Sequence, residues 1–251
     1  MYDYSYRVGF SQCGAERNMT ITAMMDVLQD ASIFHSEDLG VGYSRLDPDH
    51  LMWVLNYWEI NIERMPLLCE NITVGTFPYD FKGCFGHRNF YIKDASGNFL
   101  VKANSLWTLL DSEKMMPART PADIKDAYTI EPKLEMNYSS RKVIAPEDAR
   151  AINGEVITVQ NHHLDGNAHV NNGQYIKLAI AALEDTFEGE AKVECRKYLS
   201  GLKALRVDYR KQAHLGDNIY PVVYRTEDAF YVSLNDAEGS AFSVSEFKTE
   251  A

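Results

Sequence analysis

The 251-residue chain has four cysteines, Cys13, Cys69, Cys84 and Cys195, and no Cys-x-x-Cys pair. That spacing suits neither a disulfide framework nor a zinc ribbon, so the expectation is four reduced thiols. Fifteen glycines and eight prolines are too few for a fibrous or low-complexity protein. No apolar run approaches the roughly 18 residues of a membrane-spanning helix. The longest helical apolar stretch, 175–183, is short and is interrupted by Lys177. A basic excess is also missing: 25 Lys and Arg stand against 36 Asp and Glu, a net charge of −11. This balance argues against a duplex nucleic-acid partner. Tyr4, Tyr6 and Val8 alternate with polar residues almost from Met1, so strand pattern leaves no room for a cleaved targeting segment. The expected location is the cytoplasm. Nucleotide-binding glycine motifs and the Gly-x-Ser-x-Gly nucleophile elbow are absent too.

What the chain does have is apolar and aromatic surface, 45% and 12% of its residues, enough for a folded core. Strand pattern over 4–10 is followed by a helix that Thr20 or Thr22 can cap, running to about Glu37 with Ile21, Met24, Met25 and Leu28 on one face. Long strand patterns follow at 51–64, 71–77, 85–94 and 99–111, the last two separated by the turn Asp94-Ala95-Ser96-Gly97-Asn98. Residues 113–154 carry half of the prolines and read as an extended linker with a short helix near 122–126. The order then repeats: strand at 155–160, polar loop at 161–172, helix at 173–187, then strands at 202–210, 218–225, 230–235 and 241–247. The fold class is α+β, an N-terminal domain over 1–112 and a C-terminal one over 155–251, each with one helix against an antiparallel sheet.

The segment that draws chemical attention is His162-His163-Leu164-Asp165-Gly166-Asn167-Ala168-His169-Val170-Asn171-Asn172-Gly173. Asp165, Asn167 and His169 are spaced by two. In an extended backbone such residues point to one side, so carboxylate, amide and imidazole converge. A helix starts directly afterwards, and its first turn offers free N–H groups and a positive dipole end to a developing oxyanion. Turn formation with Asn171 or Asn172 as a plain helix cap is the bland alternative. A metal site built on His162, His163 and His169 is disfavoured, because neighbouring histidines diverge on a strand and no second ligand cluster exists.

The run Asp165-Gly-Asn167-Ala-His169-Val170-Asn171-Asn172-x-x-Tyr175-Ile176 resembles the signature of acyl-acyl carrier protein thioesterases. Leu51-Met52-Trp53-Val54-Leu55, Ala103-Asn104-Ser105-Leu106-Trp107 and Val207-Asp208-Tyr209-Arg210 resemble the same family at corresponding positions. The resemblance implies tandem hot-dog domains, each an antiparallel sheet wrapped round a long helix. It implies hydrolysis of the thioester joining a fatty acyl chain to the phosphopantetheine of acyl carrier protein, with no metal or organic cofactor. The C-terminal half would hold the catalytic loop and the N-terminal half most of the acyl pocket. Trp53, Trp58, Trp107, Met24 and Met25 are expected to be core first and pocket second.

His169 has the side chain suited to a general base near neutral pH. Asp165 can orient it, act as the base, or attack the carbonyl. Asn167 can hold the carbonyl or position water, and backbone N–H groups at Asn172 and Gly173 would complete an oxyanion site. The family commonly has Glu-Cys after the next Tyr-Arg, where this chain has Gln212-Ala213. Gln212 can hydrogen-bond water but cannot take its proton. For the acidic carrier protein, the segment 192–211 offers Lys192, Arg196, Lys197, Lys203, Arg206, Arg210 and Lys211 against Glu194 and Asp208, a local charge of +5, expected on a strand and loop. Three rival readings are an acyl-coenzyme A thioesterase, a non-catalytic acyl-carrier binding module, and a hot-dog hydratase, whose Asp-x-Asn-Pro-x-His spacing this chain lacks. A monomer, or a homodimer, would satisfy the usual pairing of hot-dog domains.

Overall fold

The computed structural model of the chain describes residues 1–147, 149–166 and 168–250. They form two compact units, Met1–Tyr138 and Ser139–Ala251.

The first unit begins with β1, Tyr2–Arg7, and helix α1, Ile21–Asp38. Of the two threonines, Thr20 is the cap: its Oγ1 accepts the Ala23 N–H at 3.2 Å. Gly40, at φ 71°, takes the left-handed conformation that ends the helix. Met24, Val27, Leu28, Ala31 and His35 recur at helical spacing and are buried, packing α1 on the sheet. After the short helix α2, Tyr43–Leu46, come β2, Leu51–Ile62; β3, Asn71–Lys82; β4, Phe85–Asp94; and β5, Phe99–Asp111. They pair antiparallel in the order β1-β3-β4-β5-β2. Gly75 of β3 is required by close packing, since a Cβ there would lie 2.1 Å from the Tyr91 ring. Trp58 is fully buried with its ring 4.7 Å from Phe90, and Met24 and Met25 are core residues. Trp53 and Trp107 are half-buried.

A polar cluster lies inside this unit. Arg88 of β4 is buried, its Nη1 donating to Thr76 Oγ1 at 3.2 Å and lying 3.1 Å from His35 Nδ1, with its guanidinium over the Tyr128 ring. Burial and the adjacent guanidinium push the His35 imidazole down to about 3. The unfolded chain takes that proton near 6.5 and the folded chain does not. Stability is therefore lost as pH falls below 6.5, by about 2 kcal/mol between pH 7 and pH 5 from this residue. His35→Gln should flatten the dependence of Tm on pH over that range. An unchanged slope would show that His35 is not held neutral.

Residues 113–154 are not one free tether. Met116–Pro117, β6, pairs with β5, and α3, Ala122–Ala127, buries Ile124 in the first unit. Asn89, fully buried, accepts the Leu134 N–H and the Tyr138 hydroxyl on its Oδ1. From Ser139 the chain belongs to the second unit: Arg206 donates to Ser140 O, Arg210 donates to Val143 O, and Val143 is fully buried. Extended segments without sheet partners read as linker from sequence because such side-chain ties carry no periodicity.

In the second unit, β7, Arg150–Asn153, and β8, Ile157–Thr158, lie along one edge of β10. The continuous strand expected at 155–160 is broken beside Pro221 of β10, whose O accepts the Gly154 N–H but which has no N–H to return. Helix α4, Asn172–Asp185, packs on β10, β11 and β12. The remaining strands are β9, Ala204–Tyr209; β10, Asn218–Arg225; β11, Ala229–Asn235; and β12, Ala241–Lys248. They pair antiparallel as β9-β12-β11-β10-β7. Between α4 and β9 lies a helix the sequence reading missed, α5, Gly189–Ser200. Only Cys195 and Leu199 of it are buried, so its apolar stripe is too narrow to stand out. Each unit is a helix held against an antiparallel sheet, the tandem hot-dog arrangement.

Candidate active site

Among the described residues, 161–171 is not one extended run. Asn161–His163 forms a 3-10 turn, which places the His162 and His163 rings 4.1 Å apart rather than diverging. Leu164 then bridges Val170 in antiparallel fashion. Asp165 N–H donates to His169 O at 2.9 Å and Ala168 N–H to Asp165 O at 3.1 Å, with Ala168 at φ 59°. The chain therefore reverses between Asp165 and His169 and brings the two together across a hairpin. Asp165 and the His169 backbone meet by chain reversal and not by strand alternation. Asp165 Oδ1 faces the His169 backbone N–H at 3.5 Å. Asn167 lies outside the described residues.

The hairpin is pinned at both ends. Asn171 N–H donates to His163 O, and Val170 N–H donates to Ala213 O, both at 3.0 Å. Ala213 N–H in turn donates to the Tyr175 hydroxyl at 2.8 Å, and that hydroxyl donates to Lys211 O at 3.5 Å. Burial raises the Tyr175 phenol to about 12, so it stays protonated at neutral pH. Gln212 sits between these two docked residues, half-buried. Tyr209 donates to Asn172 O at 2.9 Å. Arg210 pairs with buried Asp208 at 2.9 Å. The Asp208-Tyr209-Arg210 run thus braces the start of α4 and the chain at Val143.

Asn171 is the cap of α4. Its side chain accepts the Gly173 N–H at 2.8 Å, and its carbonyl accepts the Gln174 and Tyr175 N–H groups. The Gly173 N–H expected to be open to an oxyanion is therefore already bound, because an Asn cap competes for it. The positive end of the α4 dipole remains beside the hairpin.

His169 is half-buried. Burial lowers its imidazole below the ordinary value, His214 lowers it further, and Asp165 acts in the opposite sense. The ring is neutral at pH 7 and able to accept a proton. His214 packs against it edge-on, centroids 4.8 Å apart at 74°. The sequence reading did not single out His214. An isolated histidine two residues after Gln212 was the available signal.

The basic segment 192–211 also changes character. It spans α5, β9 and the residues following them. At least five of its seven cations are in ion pairs: Lys192–Asp185, Arg196–Glu184, Arg206–Glu246, Arg210–Asp208 and Lys211–Asp236. Four of those acids lie outside the segment, so a +5 stretch of chain is not a +5 surface. Lys197, in the last turn of α5, is exposed, and Lys203 is half-buried. An open depression of about 830 Å³, lined by Arg210, Lys211, Tyr224, Ser233 and Asn235 among others, includes no hairpin residue.

Fold and site together define a tandem hot-dog protein with an acid–imidazole hairpin at the amino end of its second central helix. The family model for the acyl-ACP thioesterase N-terminal domain matches residues 1–128, and that for the acyl-ACP thioesterase C-terminal domain matches residues 147–241. The chain belongs to the acyl-ACP thioesterase family. It is 25% identical over 260 residues to a chloroplastic acyl-[acyl-carrier-protein] hydrolase of Cuphea viscosissima, covering 93% of this chain and 62% of that protein. Against the chloroplastic palmitoyl-acyl carrier protein thioesterase of Arabidopsis thaliana the identity is 24%, covering 82% of this chain and 52% of that one. The chain thus spans only about half to three fifths of these relatives. Among solved structures, an acyl-ACP thioesterase from Bacteroides thetaiotaomicron superposes with a TM-score of 0.83 at 21% identity, covering 98% and 96% of the two chains. The 12:0-ACP thioesterase from Umbellularia californica gives 0.81 at 17% identity, with the same coverage. These two likenesses speak to the fold.

Proposed function

We propose that this chain hydrolyses the thioester of fatty acyl-acyl carrier protein, releasing a free fatty acid and the carrier's thiol. The observation that carries the proposal is the hairpin that holds Asp165 against a neutral His169 beside the positive end of α4. His169 takes a proton from water as the water oxygen bonds to the carbonyl carbon. The negative charge moves to the carbonyl oxygen, where the α4 dipole favours it. Asn167 is assigned to that carbonyl. When the tetrahedral centre collapses, the C–S bond breaks and the His169 proton passes to the departing sulfur. Asp165 fixes the hairpin and favours the imidazolium that forms in between. Gln212 contributes hydrogen bonding only, so no glutamate base is involved.

The direct test is thiol release from lauroyl and palmitoyl carrier thioesters, with the matching coenzyme A thioesters alongside. Turnover of the carrier-linked substrates supports the proposal; turnover of coenzyme A thioesters alone assigns a different substrate, and no turnover of either leaves a binding module. For docking of the acidic carrier we assign Lys197, exposed in the last turn of α5, with Arg196 beside it secondary because Glu184 pairs it. Arg196→Glu with Lys197→Glu should raise KM for carrier-linked substrate roughly three- to tenfold, more than for coenzyme A thioesters, and the effect should shrink with added salt. Equal changes on both substrates would remove this surface from the docking site.

A further inference from the structure

Hydrolysis by His169 gives no part to His214, the imidazole packed against it. His214 is exposed, yet it is not loosely placed. Its N–H donates to Asp217 Oδ2 at 2.8 Å, and Asp217 N–H donates back to His214 O at 3.1 Å. Gly216, at φ 85°, closes this turn and donates to Val159 O. The turn follows Ala213, whose backbone is tied to Val170 on one side and Tyr175 on the other. Ring and hairpin are thus delivered to each other by a short, hydrogen-bonded frame. The edge-on contact at 4.8 Å is its result.

We infer that His214 is a positioning residue for hydrolysis: it packs on the His169 imidazole, fixes the plane of that ring, and opposes a second positive charge beside it. This rests on the assignment of His169 as the base. An aromatic edge against a ring face restricts rotation of the base. Two imidazoles at this distance cannot both carry a proton without repulsion. His214 thereby opposes protonation of His169 and extends the working range of that base downward in pH. Two groups set the charge of His169: Asp165 from its own hairpin acts against protonation loss, and His214 acts for it. From α4 the nearby titratable group is the Tyr175 phenol, neutral at these pH values, and Lys211 is engaged by Asp236. His163 and Asn171 are the pair next to the Leu164–Val170 bridge, joined by the Asn171 N–H to His163 O bond.

The test uses the full chain with His214→Phe, which keeps a ring and removes the ionisable nitrogens, and His214→Asn, which removes both. His169 is titrated by NMR through its imidazole carbon-bound proton, and kcat/KM is followed from pH 5.5 to 8.5 on a carrier thioester. In His214→Phe, His169 should titrate at higher pH than in the parent, and the acid limb of kcat/KM should move up with it. The loss at pH 6 should be roughly threefold greater than at pH 8. His214→Asn should show the same displacement and in addition a lower kcat across the range. An unchanged His169 titration in both variants overturns the inference. His169→Ala, run in parallel, separates the two layers. If it keeps full activity, the base assignment falls, while the NMR titration still decides the coupling between the rings.

Discussion

Replacing His169 by Ala should lower kcat for thioester hydrolysis by on the order of a hundred- to ten-thousand-fold, with KM changed much less. The loss falls on kcat because the imidazole acts on the water and the departing sulfur, groups that are not engaged in the ground state. The α4 dipole survives the substitution, so some rate over water remains. Asp165→Asn is the informative companion. It keeps an oxygen to face the His169 N–H, so the hairpin persists, but it removes the charge. A loss of roughly ten- to a hundredfold would mark Asp165 as the group that favours the imidazolium. A loss as deep as that of His169→Ala would mark it as the base or the attacking group. Thiol release with both variants, checked against unchanged melting curves, decides between these. Full activity in both would sink the assignment of the site.

Tyr175→Phe should have the next largest effect. The phenol oxygen is the acceptor for the Ala213 N–H, and Ala213 is fully buried. Removing it leaves a buried donor unpaired, at about 1–3 kcal/mol, read as a lower Tm. It also releases the 211–214 segment from α4, and with it the Ala213 carbonyl that holds Val170 and the His214 ring that packs on His169. Displacement of a catalytic group by about 1 Å costs up to a hundredfold, so kcat should fall roughly ten- to a hundredfold. Tyr209→Phe removes the donor to Asn172 O, and should cost less on both measures because a carbonyl tolerates a lost donor better than a buried N–H tolerates a lost acceptor. A Tyr175→Phe variant with undiminished kcat would show that the clamp serves stability alone.

Much of the fold was readable because it rests on local pattern. The four long strands of the first unit follow their alternating and β-branched runs, though β3 runs on to Lys82. Thr20 signalled the start of α1, and Asn171 the start of α4. The motif Asp165 to Tyr175 marked where to look. What failed had no local signature. Helix α5 hides two buried residues among charged ones. The break between β7 and β8 depends on Pro221, almost 70 residues further along. The occupied Gly173 N–H depends on a side-chain rotamer of Asn171. The basic run lost its charge to Glu184, Asp185, Asp236 and Glu246, three of which sit on other elements and one of which follows β11.

The amino-acid sequence by itself determined the repeated helix-and-sheet order, the family resemblance and the identity of the acid, amide and imidazole. Those follow from periodicity, capping and composition, which act over a few residues. Only the tertiary structure decided that Asp165 meets the His169 backbone through a hairpin, that Tyr175 and Ala213 hold the hairpin in place, and that His214 stands against the His169 ring. Each of those contacts joins residues brought close by chain reversal or by sheet pairing. Their energies depend on distances in space, which spacing along the chain does not encode.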